Sequence, residues 1–158
     1  MNPQSTGLLE ERRVRDFLAA ARIAHLSTAD ATGAPHVVPL CFWFDGARFY
    51  FVVDEKPKRR ASGAPIKRMR NIAENPRVAI VVDHYEDDWE HLAYVMVRGH
   101  ASVIADGEEY MLALRGLRDK YPQYRAMTLA PDRNPIVRID PDRVNVWGAR
   151  FVSGGEIR

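Results

Sequence analysis

Between Lys56 and Arg70 the chain carries seven basic residues (Lys56, Lys58, Arg59, Arg60, Lys67, Arg68 and Arg70) and no acidic one. Cations set this closely repel one another, and an arriving anion relieves the repulsion. Removing these seven from the chain's 23 lysines and arginines leaves 16 basic residues against 21 acidic ones. The formal net charge of +2 is therefore gathered in one segment, and local positive charge implies a local anion. A solvated helix face with its loop would have to tolerate the repulsion. A nuclear-localisation reading of Lys56-Pro57-Lys58-Arg59-Arg60 is non-specific. Nucleic acid would call for a wider basic surface and exposed stacking aromatics, whereas the rest of the chain is net acidic, so no nucleic-acid partner is expected. A compact anion, a phosphate or a short polyanionic tail, fits the segment best.

Self-sufficient catalytic motifs are missing. The sequence has no G-x-G-x-x-G, P-loop, G-x-S-x-G or C-x-x-C. Its single cysteine, Cys41, sits among apolar neighbours in a strand pattern and reads as a buried structural thiol rather than a nucleophile. The acidic stretch Asp83 to His91 contains two histidines and several carboxylates, yet no H-E-x-x-H or two-histidine, one-carboxylate spacing on a defined element. It reads as a solvated loop, and no metal is expected. Trp89 is unusual in so polar a loop and points to a packed surface, a ligand or a dimer contact. No catalytic side chain can be named; if the protein is an enzyme, a cofactor carries the reaction.

The elements that would hold such a site follow from periodicity. Val14, Phe17, Leu18 and Ala21 predict a first helix with Glu10 and Glu11 in its opening turn. Strands are predicted over 23–28 and 36–44, the latter with Val38, Leu40, Phe42 and Phe44 on one face, and over 48–53 after the Asp45-Gly46 hairpin signal. Turns this short join antiparallel strands into a meander. Pro39 lacks a backbone N–H and must lie on an edge strand or at a bulge. After the basic loop, Pro65 suits the start of a helix with Ile66, Met69, Ile72 and Ala73 inward and Lys67, Arg68, Arg70 and Asn71 outward. Strands follow over 77–83 and 92–104, the second broken or bent near Gly99. A helix comes next, capped by Asp106 and Glu109, with Tyr110, Met111, Leu114 and Leu117 as its apolar stripe. Residues 124–134 read as irregular, and 136–147 as a final long strand or strand pair. Six or so strands with one helix before them and two inserted make a mainly β fold with peripheral helices, a closed or half-closed antiparallel barrel.

At 158 residues the chain fits a single domain spanning 1–158, and its 46% hydrophobic and 28% charged residues suit a globular protein. Apolar runs such as Val37 to Phe44 fall far short of the roughly 20 residues that cross a bilayer, so no membrane contact is expected. Residues 1–9 lack a secretory pattern, and one cysteine suits a reducing compartment, so a cytoplasmic location is expected.

Taken in order, several pieces form a pattern: Ala24-His25-Leu26-Ser27-Thr28; Gly33-Ala34-Pro35-His36-Val37-Val38-Pro39-Leu40; and Phe49-Tyr50-Phe51-Val52-Val53-Asp54-Glu55-Lys56-Pro57-Lys58. They continue with Lys67-Arg68-Met69-Arg70-Asn71-Ile72, Asn75-Pro76-Arg77-Val78-Ala79, Asp83-His84-Tyr85 with Asp87-Asp88-Trp89, and Gly99-His100-Ala101. This series resembles the pyridoxamine-phosphate-oxidase-like family of flavin-binding split barrels, and within it the actinobacterial F420-dependent branch. The resemblance implies a six-stranded split barrel and a homodimer with a cofactor site at each subunit interface. It implies that Val38, Pro39 and Leu40 present backbone groups to the cofactor ring, and that Lys56, Lys58, Lys67, Arg68 and Asn71 hold its phosphate. It also implies that Trp89 and Trp147 close the pocket. FMN carries one phosphate, which two or three cations satisfy, whereas the deazaflavin coenzyme F420 adds a multiply charged tail. Seven cations favour F420, with FMN the alternative. The activity implied is hydride transfer between F420 and a small organic acceptor; a non-catalytic carrier would use the same pocket.

Overall fold

The computed structural model describes residues 3–54 and 65–151, with side chains from residue 7 onward. Lys56 and Lys58 lie outside the described residues. Helix α1 spans Pro3–Glu10 and α2 spans Arg12–Ala20. One helix with Glu10 and Glu11 in its opening turn is thus replaced by two. Glu11 is the N-cap of α2, without a side-chain cap bond, while Glu10 ends α1. The apolar spacing holds, since Val14, Phe17 and Leu18 are buried.

Strand β1, Ala24–Ala29, alternates buried Ala24, Leu26 and Thr28 with more exposed His25, Ser27 and Ala29. It turns into β2, Pro35–Leu40, through Gly33 at φ 86°. The Asp30 carboxylate organises that turn, accepting the Thr32 hydroxyl at 2.7 Å and the backbone N–H groups of Thr32 and Ala34. These hydrogen bonds, the Thr32 hydroxyl's first, hold the Asp30 carboxyl well below the usual carboxylate range. The Asp45–Gly46 turn joins β3, Trp43–Phe44, to β4, Phe49–Val52, and the Asp45 side chain accepts the N–H groups of Ala47 and Arg48. Strands β5, Arg77–His84, β6, Ala93–Ile104, and β7, Ile136–Trp147, complete one antiparallel sheet in the order β2-β1-β5-β6-β7-β4-β3.

That order contains its own closure. β2 and β3 lie at opposite ends of the sheet, yet only Cys41 and Phe42 separate them in the chain. At 3.8 Å per Cα step, Leu40 and Trp43 lie within about 11 Å, so the sheet must curl until the end of β2 comes near the start of β3. The fold is a split barrel of seven strands rather than six, because the strand expected over 36–44 breaks in two. Phe42 is fully buried, and its backbone leaves the ladder for a side chain: its N–H donates to the Tyr121 hydroxyl at 3.1 Å. The expected shared face survives the break, with Phe42 inside the barrel core and Val38, Leu40 and Phe44 packed against it.

Helix α3, Lys67–Glu74, begins two residues later than expected and leaves Pro65 outside it. Helix α4, Gly107–Lys120, covers the outside of β4 and β7 through Tyr110, Ala113, Leu114 and Leu117, which pack with Tyr50, Val52 and Ile136. Met111, expected in that stripe, is 56% exposed, and Ala113 takes its place. The expected capping box does not form. Asp106 is the N-cap without a side-chain bond, and the Glu109 carboxylate instead accepts from the Tyr50 hydroxyl at 3.1 Å and from Arg138 at 3.1 Å. No helix among the described residues is long and apolar enough to cross a membrane.

The C-terminal ends of α2 and α4 are clasped at the strand break. Lys120 Nζ donates to the Leu18 carbonyl at 3.0 Å and sits 3.7 Å from the centre of the Phe42 ring, while Arg22 donates to the Lys120 carbonyl at 2.8 Å. Burial, and then the nearby Arg22 charge, lowers the Lys120 ammonium to about 8. In the unfolded chain the amine keeps its ordinary value of 10.5, so between these two values the unfolded state binds more protons and stability rises with pH. Below the lower value both states are protonated and the penalty is fully present. Lys120→Met is expected to flatten this rise. Urea unfolding of both proteins at pH 7.5 and 9.5 checks it: parallel changes would show that Lys120 has no depressed proton affinity in the fold.

Candidate functional site

The anion site expected after the third strand begins, in the described residues, at α3. Lys67 Nζ lies 3.3 Å from Asp30 Oδ2, so a carboxylate from the β1–β2 turn already meets one of the cations. Arg68 and Asn71, both expected to face water, turn inward instead. Asn71 and Ile72 are the buried residues of α3, Arg68 is half-buried, and Ala73 is exposed. The cause is tertiary. Thr28 is a buried hydroxyl in β1, and Asn71 Nδ2 donates to its Oγ1 at 2.9 Å. A buried polar pair of this kind outweighs the apolar bias of Ala73 in setting the helix rotation.

Two polar atoms of this helix, Arg68 Nε and Asn71 Oδ1, are buried without a hydrogen-bond partner among the described residues. Burial pushes the Arg68 guanidinium toward lower proton affinity, and the Asp54 charge partly opposes this. A half-buried guanidinium with an unused donor is an anion-binding element that the fold does not satisfy by itself.

β2 lies at an end of the sheet, and Pro39 occupies an edge strand, the first of its two expected settings. Val38 and Leu40 pack toward the barrel core, which Met69 of α3 and its N-cap Ile66 also join. Val37 and Pro39 face outward, Val37 at 60% exposure. One side of the β2 backbone pairs with β1; the other stays open among the described residues.

The remaining expected site residues lie elsewhere. Trp89 begins a short 3-10 turn, Trp89–His91, and is 73% exposed. Trp147 ends β7, 52% exposed, with its ring stacked on Tyr94 at 5.7 Å. Tyr94 pairs with Asp83 near the far end of β5, whereas α3 enters β5 at Arg77. Eight residues of strand place those ends about 23 Å apart. Within one chain, the tryptophans are therefore not brought to Lys67 and Arg68.

At the tryptophan end, α2 overhangs the β1–β2 edge and leaves a cleft of about 1220 Å³. Arg13, Asp16, Phe17, His25, Pro39 and Asp83 are among its lining. Of these, His25, Pro39 and Asp83 fall within the pieces of the sequence pattern, whereas Arg13, Asp16 and Phe17 of α2 belong to none of those pieces. His25 faces Asp83 at 3.3 Å, and Glu86 draws both His91, at 2.8 Å, and His84, at 3.6 Å. Among the described residues no three His, Cys, Asp or Glu side chains are arranged to hold a metal ion.

The comparisons with known proteins agree with this architecture. A family model described as pyridoxamine 5'-phosphate oxidase matches residues 11–148. A 5a,11a-dehydrotetracycline/5a,11a-dehydrooxytetracycline reductase of Streptomyces rimosus is 29% identical over 133 residues, 84% of this chain and 78% of that protein. Among solved structures, the heme storage protein HutZ of Vibrio cholerae superposes with a TM-score of 0.69 at 17% identity, over 89% of this chain and 98% of that one. A FAD-binding protein of Mesorhizobium loti does so with a TM-score of 0.61 at 23% identity, over 84% and 89%. At these identities the two solved structures share the fold.

Proposed function

Because the chain belongs to the pyridoxamine 5'-phosphate oxidase family, we propose that it is a cytoplasmic oxidoreductase passing hydride between the deazaflavin coenzyme F420 and a small organic acceptor. The family and the reductase-named relative support the coarser statement, an oxidoreductase with a flavin-type cofactor. The observation that carries the binding half is Arg68. Its buried Nε, without a partner among the described residues, stands at the head of a helix that follows a run of cations, where an incoming phosphate would supply an acceptor. The residues present fit such a group. The open edge of β2 at Val38, Pro39 and Leu40 can lie along a flat ring, Lys67 and Arg68 can meet its phosphate together with Lys56 and Lys58, and Asn71 holds α3 in place.

When bound, the cofactor supplies the two-electron chemistry. This chain's residues bind it, orient the acceptor and keep water out. Closure by Trp89 and Trp147 requires a second copy, because they belong to one end of β5 and α3 to the other, with a strand of about 23 Å between. An isologous homodimer delivers them, and the outward Val37 and Pro39 give it an apolar contact.

Fluorescence titration of the purified protein against F420 and FMN tests the reading. Binding of F420 in the micromolar range, with FMN weaker, is expected. Tight FMN binding without F420 binding would sink the deazaflavin version, and binding with no acceptor able to oxidise the reduced cofactor would leave a carrier. Light scattering on the same sample is expected to give twice the 18.0 kDa chain mass. A monomer that binds F420 equally well would remove the partner's tryptophans from the site.

A further inference from the structure

The outward face of the sheet carries a second cluster of cations, separate from the basic segment. Arg98 of β6 and Arg143 of β7 are direct cross-strand partners, and both are exposed. Ala79 of β5 stands opposite Arg98 on its other side, and Ser27 of β1 stands opposite Ala79. Two residues before Ala79, on the same face, is Arg77, paired with His100. Three arginines from three adjacent strands thus surround a floor of small side chains. The depression they share measures about 410 Å³ and includes Ser27, Ala79, Gly99 and Asp142 in its lining.

Like charges directly opposite one another in an antiparallel pair are destabilising. Nothing in the fold offsets this pair, since no carboxylate among the described residues is in ion-pair contact with Arg77, Arg98 or Arg143. The local acid, Asp142, is taken by His100. The backbone is specially shaped here as well. The register slips between Arg98 and Gly99, so that Arg98 faces Arg143, Gly99 faces Pro141, and Asp142 is the extra residue of a bulge. Gly99 permits the bulge: a Cβ there would lie 2.1 Å from the Asp140 carbonyl oxygen. Bulges re-aim side chains, and this one sets Arg143 beside Arg98 while turning Asp142 toward His100.

We propose that Arg77, Arg98 and Arg143, with Ser27 on the floor between them, form an oxyanion site for a phosphate- or carboxylate-bearing small molecule. Guanidinium groups on neighbouring strands can each present paired donors to one such group, and Ser27 adds a hydroxyl. The acidic loop of a second copy is a poorer match. Of its carboxylates, Glu86 and Asp88 already meet histidines of their own chain, as does the adjacent Asp83. The site does not rest on the cofactor reading, because the cluster and its depression belong to the chain without any cofactor.

Calorimetric titration of the full chain with inorganic phosphate and, separately, with triglutamate at low salt tests the proposal. Saturable binding of either probe is expected, weakening by about tenfold or more in the double variant Arg98→Gln/Arg143→Gln, with Arg115→Gln on α4 as an unaffected control. Repeating the titration with F420 present separates two sources of the anion. Competition would identify the site as a seat for the cofactor's own anionic end, and independent binding would identify a separate ligand; either supports the site. The proposal is overturned if the wild type binds neither probe, or if the double variant binds as well as wild type. It is equally overturned if the double variant falls apart into monomers, which would assign the arginines to the partner's acids. The substituted side chains are exposed, so an unchanged circular dichroism spectrum is expected to accompany the lost binding.

Discussion

Gly99→Ala is expected to lower the thermal midpoint by about 6–12 °C. The added Cβ would lie 2.1 Å from Asp140 O, 3.0 Å from Asp140 C and 3.2 Å from Pro141 Cα. All three are backbone atoms of β7, so no rotamer change relieves the clash. The strands must separate at their bulge, in the middle of the most extensive pairing in the sheet. Overpacking of this kind costs typically 1–3 kcal/mol. The upper value, about 3 kcal/mol, applies where only backbone can yield, and each kcal/mol moves the midpoint by about 2–4 °C at this chain length. Gly7→Ala is the matched control. A methyl added there would meet no atom within 4 Å, and the position sits inside a helix, where alanine is the better former. Calorimetry of the two variants beside the wild type makes the comparison; similar midpoints for Gly99→Ala and wild type would mean that β6 and β7 do not approach as closely as described.

Arg68→Met is expected to act in opposite directions on binding and on stability. The guanidinium is half-buried, its Nε lacks an acceptor among the described residues, and burial disfavours its charge. Replacing it with an apolar side chain of similar length removes that penalty, so the free protein is expected to be as stable as wild type or slightly more so. A charge-assisted hydrogen bond to a bound phosphate is worth about 1.5–3 kcal/mol. Its loss should therefore weaken cofactor binding by about 10–100-fold. A structural arginine would behave differently, since its removal would lower stability and leave affinity nearly unchanged. Thermal unfolding without cofactor and a binding titration on the same preparation separate the two cases, and unchanged affinity would take Arg68 out of the phosphate site.

These effects show where sequence patterns suffice and where they stop. The Asp45-Gly46 hairpin, the alternation in β1 and the long β6 with its irregularity at Gly99 were legible because short-range rules govern them: turn chemistry and period-two burial. Pro39 limited its strand to an edge or a bulge because a missing N–H cannot join a ladder on both sides. The rotation of α3 was not legible. Apolar spacing placed Ala73 inward and Asn71 outward, but the buried Thr28 hydroxyl, 43 positions earlier, draws Asn71 into the core. The break at Phe42 escaped for a similar reason, since the group that draws its backbone from the ladder is the hydroxyl of Tyr121, 79 positions later.

By itself, the sequence determined the element types, the family pattern and the concentration of charge between Lys56 and Arg70. Those properties reside in composition and in spacings of a few residues. Only the tertiary structure decided which polar groups meet. It paired Lys67 with Asp30, left Arg68 Nε without an acceptor among the described residues, and set Trp89 and Trp147 toward the opposite end of β5 from α3. It also set Arg98 against Arg143 through a one-residue slip in register. Side chains alternate faces with every residue of a strand, so such a slip redirects charges that no local pattern relates.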